Sequence, residues 1–176
     1  MKNKKIFLHI CCAPCSIEVI ESLVEDGYEI FGYFYNPNIH PFDEYKKRRD
    51  SVIKYLEKLG IKYEIADYDV HEYFDKIGDI QKGKERCTLC YDLRMERSAI
   101  RAKELGYETF TSTLLFNPHK DFEFIAKVGK KNAKKYGLNF HFPSLAHDYW
   151  GNKAKAKELE MYFQKYCGCV FSTTER

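Results

Sequence analysis

The stretch KIFLHICCAPCSIEVIESLVEDG, residues 5–27, decides the fold. Lys5 to Ile10 is an apolar, strand-forming run. From Ser16 onward Ile17, Ile20, Leu23 and Val24 recur at helical spacing, and Gly27 supplies the stop. Between them lies Cys11-Cys12-Ala13-Pro14-Cys15, so the stretch reads as strand, cysteine loop, helix.

The alternation continues outward. YEIFGYFY (28–35) is a second strand, interrupted by NPNIHP (36–41), and EYKKRRDSVIKYLEKLG (44–60) is a charged amphipathic helix ended by Gly60. KYEIADY (62–68) reads as a third strand, and the polar residues 71–86 hold a short helix and a loop. Further on the pattern predicts a long helix from Thr88 to Leu105 stopped by Gly106, and a fourth strand over YETFTSTLL (107–115). A helix over 121–136 carries Phe122, Ile125, Ala126, Gly129, Ala133 and Tyr136 at helical spacing. A fifth strand over LNFHF (138–142) and a last helix over 152–165 complete the chain.

Strands alternating with helices of this length imply βαβ units, hence an α/β fold: a Rossmann-like three-layer sandwich with a mainly parallel sheet, formed by residues 1–176 as one domain. Ligands in such folds collect beyond the carboxyl ends of the strands, where strand order reverses. The loop after the first strand is the usual place, and here it has cysteines where a phosphate-binding loop would have glycines.

Composition agrees with a globular chain: 44% hydrophobic and 31% charged residues, with 13 Phe and 14 Tyr. The net charge of +3 does not by itself argue for a nucleic-acid partner, but the lysines cluster, Lys127, Lys130, Lys131, Lys134 and Lys135 in one group and Lys153, Lys155 and Lys157 in another. The apolar run Ile6 to Ile10 is too short for a signal peptide and contains His9, and no stretch is long enough to span a membrane. A cytoplasmic protein is expected, whose seven cysteines serve as ligands or redox groups rather than as a disulfide framework.

Six of those cysteines come in close pairs: Cys11 with Cys12, Cys87 with Cys90, Cys167 with Cys169. In CTLC (87–90) the spacing puts both sulfurs on one side of an opening helical turn, where the dipole favours thiolates. The same face continues into Arg94, Arg97 and Arg101, which could screen an anionic metal centre or bind a phosphate. Cys11, Cys12, Cys87 and Cys90 would complete a tetrahedral zinc site or an iron-sulfur cluster equally well. Cys167-Gly168-Cys169 would close a small, strained and easily reduced ring, and a redox dithiol beside a four-cysteine site favours iron-sulfur, because zinc transfers no electrons. A radical-SAM motif is absent, since its third cysteine position falls on Glu18.

These motifs, HICCAPC, YNPNIHPFDEYKKR, RCTLCYDLRM, TSTLL and YCGCVFS, in this order and over nearly the whole chain, resemble the QueH-type epoxyqueuosine reductases. The resemblance implies a fold related to the pyrophosphate-loop ATPases, a 4Fe-4S cluster, and reduction of epoxyqueuosine to queuosine at the wobble position of tRNA. It implies Cys11, Cys12, Cys87 and Cys90 as cluster ligands and Cys167 with Cys169 as a redox-active pair, served by an external electron donor. Cys15 departs from the family, which often has Asp there, and is a candidate ligand for a second metal ion.

Removing the epoxide oxygen as water needs a proton donor, and His40, Tyr35 and Asp92 lie inside or beside the motifs. The lysine clusters are candidates for the tRNA backbone, and the aromatic loop over residues 33–41 for stacking on a splayed base. Two other readings remain: a zinc-stabilised nucleic-acid-binding module, and an ATP-using iron-sulfur tRNA thiolase, which the missing phosphate loop disfavours.

Overall fold

Strand β1 (Lys4–His9) lies at the centre of the sheet, and its residues Ile6, Phe7, Leu8 and His9 are wholly buried. An apolar run with no polar alternation suits a parallel strand covered on both faces. The structure is a computed structural model that describes residues 4–117 and 120–175.

Helix α1 (Ala13–Glu25) follows β1, then β2 (Tyr28–Phe34), α2 (Phe42–Leu59) and β3 (Lys62–Ile65). Helices α3 (Val70–Ile77) and α4 (Gly83–Glu104) lead to β4 (Thr109–Ser112), which ends in a 3₁₀ turn, Thr113–Leu115. Helix α5 (Phe122–Tyr136), β5 (Asn139–Phe140) and α6 (Tyr149–Glu158) complete the layers. All strand pairings are parallel and the order is β3-β2-β1-β4-β5. Helices α1, α2 and α6 pack together, while α4 packs with α3 and α5, as right-handed crossovers on two faces require. The order reverses between β1 and β4, whose ends meet in the register His9 with Ser112.

Several boundaries differ from the sequence reading. Helix α4 begins at Gly83, five residues before Thr88, because the polar residues 83–87 continue the helix that CTLC lies in. Strand β4 stops at Ser112, whose hydroxyl accepts from Leu114 N and turns the chain. Helix α6 covers 149–158 and not 152–165: Glu160 takes a left-handed φ of 52°, with Glu160 N bonded to Lys157 O and Met161 N to Ala156 O. That is a Schellman end without its usual glycine, and buried Met161 anchors it. Val24 and Phe122, expected in the core, are exposed, and Val19 and Val128 take the inward positions instead.

Candidate metal centre and cavity

The cysteine loop stands at the reversal point. Cys12 is the extended residue before α1, and Pro14 sits in the first turn, where its missing N–H is harmless. Cys15 falls one turn beyond Cys12 and returns to the same side. The sulfurs of Cys11, Cys12 and Cys15 lie within 4.8 Å of one another, all three residues buried. The C-x-x-C of Cys12 and Cys15, rather than that of Cys87 and Cys90, straddles a helix start, and no side chain caps that end. The N–H groups of its first turn therefore favour anionic sulfur, and that of Cys15 reaches the Cys12 thiol.

Thr113, in the turn after β4, accepts from Cys11 N at 3.0 Å and donates to Cys11 Sγ at 3.2 Å. Hydrogen bonding from the Cys12 and Cys15 thiols, with the Arg94 charge and the Thr113 hydroxyl, outweighs burial and holds the Cys11 thiol well below its usual range. The same sharing pushes Cys12 and Cys15 up. Three thiols competing for one negative charge form a soft donor set that a bound metal cation would turn into thiolates.

His9, the last residue of β1, ties the strand to the segments on either side. Its Nε2 faces the Tyr35 carbonyl at 3.1 Å, which only accepts, so Nε2 carries the proton and Nδ1 accepts from the Ser112 hydroxyl at 2.8 Å. Burial, helped by the Arg94 charge, lowers its pKa to about 3, so the ring stays neutral.

Cys87 and Cys90 lie in the second turn of α4, away from the exposed N–H groups of its start. Burial pushes the Cys90 thiol up to about 11, the opposite of the depression expected for an opening turn. Cys12, Cys15, Cys87, Cys90, Cys167 and Cys169 line one cavity of about 590 Å³. Cys11 adjoins it at a small void shared with Cys167, Arg94 and Lys120. All seven thiols are free.

Arg48 holds the Cys167–Cys169 segment from α2. Buried and paired with Glu44 at 2.8 Å, it donates to the carbonyls of Cys167 and Tyr166 at 2.9 and 3.0 Å. Gly168, at φ 137°, offers its carbonyl to His40 N at 2.9 Å; a Cβ there would stand 3.2 Å from both Arg48 and Ile39. Cys167 is reachable by solvent, and its Sγ accepts from Lys120 Nζ at 3.2 Å. Desolvation would raise that thiol, but the charges of Lys120, Arg94 and Arg48 overcome it and lower the pKa.

The arginine stripe divides. Arg94 is buried near Cys90, Cys11 and Cys167 and keeps its charge despite burial. Arg97 pairs with Glu72 and Arg101 with Glu64 and Glu104, so neither serves the cysteines. Four buried polar atoms at the cavity or the void have no hydrogen-bond partner among the described residues: Arg94 Nε, Asn38 Oδ1, Gln164 Oε1 and the Tyr73 hydroxyl, which lies beside Cys169. Such atoms are costly inside a protein unless a ligand meets them. The sulfur donors and these atoms together fit a thiolate-bound metal group with a polar substrate beside it.

The three suggested acids lie elsewhere. His40 donates Nε2–H to Pro37 O and accepts from Val170 N, so both nitrogens are spoken for. Tyr35 donates its hydroxyl to Glu72. Asp92 accepts from Lys76, Lys131 and Asn132, which outweigh its burial and lower it to about 2, so it stays ionised. The aromatic loop also fails as a stacking surface: Tyr33, Phe34, Tyr35, Asn36, Asn38 and Ile39 are buried. On α5, Lys131 and Lys135 are engaged by Asp92 and Glu96. Sequence reasoning missed Tyr73, Lys120 and Gln164, which carry no motif, and undervalued Cys15, although its spacing from Cys12 was visible.

A cysteine-lined pocket at the reversal point of an all-parallel sheet defines an α/β chain of the Rossmann-like class, one whose Cys11, Cys12 and Cys15 could hold a metal. A family model described as epoxyqueuosine reductase QueH matches residues 6–175. Epoxyqueuosine reductases QueH from Haemophilus influenzae and Thermotoga maritima are 39% and 34% identical to the chain, each over 97% of it and over 72% and 91% of their own lengths. The chain belongs to the QueH family of epoxyqueuosine reductases, which are oxidoreductases. Among solved structures, the U34-tRNA thiolase NcsA from Methanococcus maripaludis, described with its 4Fe-4S cluster, superposes with a TM-score of 0.60 at 16% identity, over 98% of this chain and 62% of its own. A predicted tRNA methyltransferase subunit from Methanocaldococcus jannaschii reaches 0.53, also at 16% identity, over 87% of this chain and 76% of its own. These two likenesses show the fold. No helix among the described residues is long and apolar enough to cross a membrane.

Proposed function

We propose that the chain, as a single reductase domain, converts epoxyqueuosine to queuosine at the tRNA wobble position in the cytoplasm. It would use a 4Fe-4S cluster on Cys11, Cys12, Cys87 and Cys90, with Cys167 and Cys169 as the redox-active pair. The observation that carries this reading is the convergence of all three cysteine pairs, from β1, α4 and the C-terminal segment, on one cavity and the void beside it. Cys15, packed against Cys11 and Cys12, would ligate a second metal ion. A cluster of this kind supplies single electrons at low potential.

The residues provide the rest. Turning an epoxide into an alkene takes two electrons and two protons and releases water; oxidation of a thiolate and a thiol to a disulfide yields both electrons and one proton, a proton-bearing group of the cavity wall would supply the second, and an external donor would restore the dithiol. The Lys120 ammonium holds Cys167 toward its thiolate, which is the reactive form. The Tyr73 hydroxyl, kept protonated chiefly by burial, and Lys120 Nζ are proton-bearing groups on the cavity wall, in place of His40, Tyr35 and Asp92. Asn38 and Gln164 offer acceptors to a polar ring or ribose.

The test is incubation of anaerobically purified protein with epoxyqueuosine-containing tRNA and a low-potential reductant. Queuosine is expected in the product. A colourless protein carrying stoichiometric zinc, or a brown one that leaves the epoxide untouched, would overturn the reading. Cys167→Ser is expected to keep the iron and lose turnover, and Cys90→Ser to lose the iron.

A further inference from the structure

Trp150 is the chain's single tryptophan, and it is 74% exposed. It stands at the start of α6 beside Tyr149, itself 40% exposed, with ring centroids 5.4 Å apart. Tyr149, Asn152 and Lys153 of this helix line the cavity, and Trp150 follows Tyr149 in its first turn. Lys153 Nζ lies 5.4 Å from the indole centroid. Arg86, Lys120 and Lys165 also line the cavity, with Glu175 as the one carboxylate among the described residues of its lining.

The platform is held rigidly. Asn152 is buried, donates to Pro14 O at 2.7 Å and accepts from Glu18 N at 3.3 Å. His147 N donates to the Glu18 carboxylate at 2.8 Å, and Asp148 caps the helix through Gly151 N. Both anchors reach the first turns of α1, the helix that carries Cys15. The spacing between indole and sulfur group is therefore set by hydrogen bonds. Yet α6 buries only Asn152 and Ala156, and Trp150 in its first turn stays largely exposed.

We propose that Trp150, with Tyr149 and Lys153, is a stacking platform for a nucleobase of single-stranded RNA next to the nucleotide that enters the cavity. This rests on the tRNA reading above. An exposed indole with the Lys153 ammonium beside it suits a base and its phosphate, and a modified nucleoside can reach the buried sulfurs only if unstacked from its neighbours, which then need a new surface. The buried aromatic loop of residues 33–39 cannot provide one.

The lone tryptophan makes the test direct. The metal-loaded protein is titrated with a tRNA anticodon stem-loop under anaerobic conditions while indole fluorescence is followed, and the same RNA is used for steady-state turnover. Quenching is expected to saturate with binding. Trp150→Ala is expected to weaken binding roughly 5- to 150-fold, the equivalent of about 1–3 kcal/mol per stacked base, raising KM with kcat little changed. Trp150→Phe is expected to retain most of the affinity. Unchanged fluorescence at saturating RNA with normal turnover would sink the platform and leave the reductase reading standing. Failure of the wild-type protein to bind or convert RNA would sink both. A fluorescence change on diluting the protein alone would assign Trp150 to self-association and overturn the proposal.

Discussion

Replacing Arg48 by methionine tests how the C-terminal dithiol is held. The guanidinium is 2% exposed and donates to Glu44 Oε1, Cys167 O and Tyr166 O at 2.8, 2.9 and 3.0 Å. Methionine conserves the stem but strands two carbonyls and leaves Glu44 with the Tyr162 hydroxyl at 2.6 Å. Charge-assisted hydrogen bonds contribute about 1.5–3 kcal/mol each, and breaking a buried pair from one side costs about 3–5 kcal/mol; the latter is the working figure because the three bonds share one group. At this chain length the loss lowers Tm by about 6–20 °C. Thermal unfolding followed by circular dichroism reads it. Because the penalty comes from an uncompensated carboxylate, Arg48→Met with Glu44→Gln is expected to recover at least half of the loss. Burial raises the Glu44 pKa, but Tyr162 and Arg48 outweigh it and the net shift is downward from 4.5. Its contribution is thus present above the unfolded value and is lost as pH falls through the folded one, so the variant's stability declines less steeply on the acid side. A cost under about 1 kcal/mol, the scale of an exposed ion pair, or a double variant no better than the single one, would refute the role given to Arg48.

Lys120→Met removes the ammonium 3.2 Å from Cys167 Sγ and lets that pKa rise, so iodoacetamide labelling of Cys167 at neutral pH, read by mass spectrometry, is expected to slow about 3- to 10-fold. An unshifted pH profile would contradict it. Asp92, lowered to about 2 from 3.8, contributes stability above pH 4 that fades between pH 4 and 2. Asp92→Asn is expected to cost about 1–2 kcal/mol at pH 7 and to flatten that acid limb, which denaturant titrations at several pH values would show. A Cβ on Gly129 would meet the Phe140 ring at 2.4 Å, so Gly129→Ala is expected to lose about 1–3 kcal/mol in urea unfolding, and a neutral variant would mean that α5 does not pack there.

The helix and strand types were readable because local patterns carry them: buried apolar runs for β1 and β2, and glycine stops at Gly27, Gly60 and Gly106 that the structure places at positive φ. Boundaries without such signals were misread. Glu160 ends α6 in a conformation that glycine usually marks, and α4 starts five residues early because a polar segment can extend a helix whose inner face is packed. For the site, pairing and spacing singled out the cysteines. The acids His40, Tyr35 and Asp92 could not be judged, since their partners Val170, Glu72 and Lys131 are far away in sequence.

By itself the sequence determined an α/β chain with its cysteines in the loop after the first strand, in CTLC and near the C-terminus, because periodicity and short-range spacing are local properties. Only the tertiary structure decided that Cys15 joins Cys11 and Cys12, that Arg94 alone of its stripe serves the sulfurs, and that Tyr73, Lys120 and Gln164 face them. The burial of residues 33–39 and the exposure of Trp150 were likewise decided there. Burial and long-range hydrogen bonds set these outcomes, and both depend on which distant segments the parallel sheet brings to its reversal point.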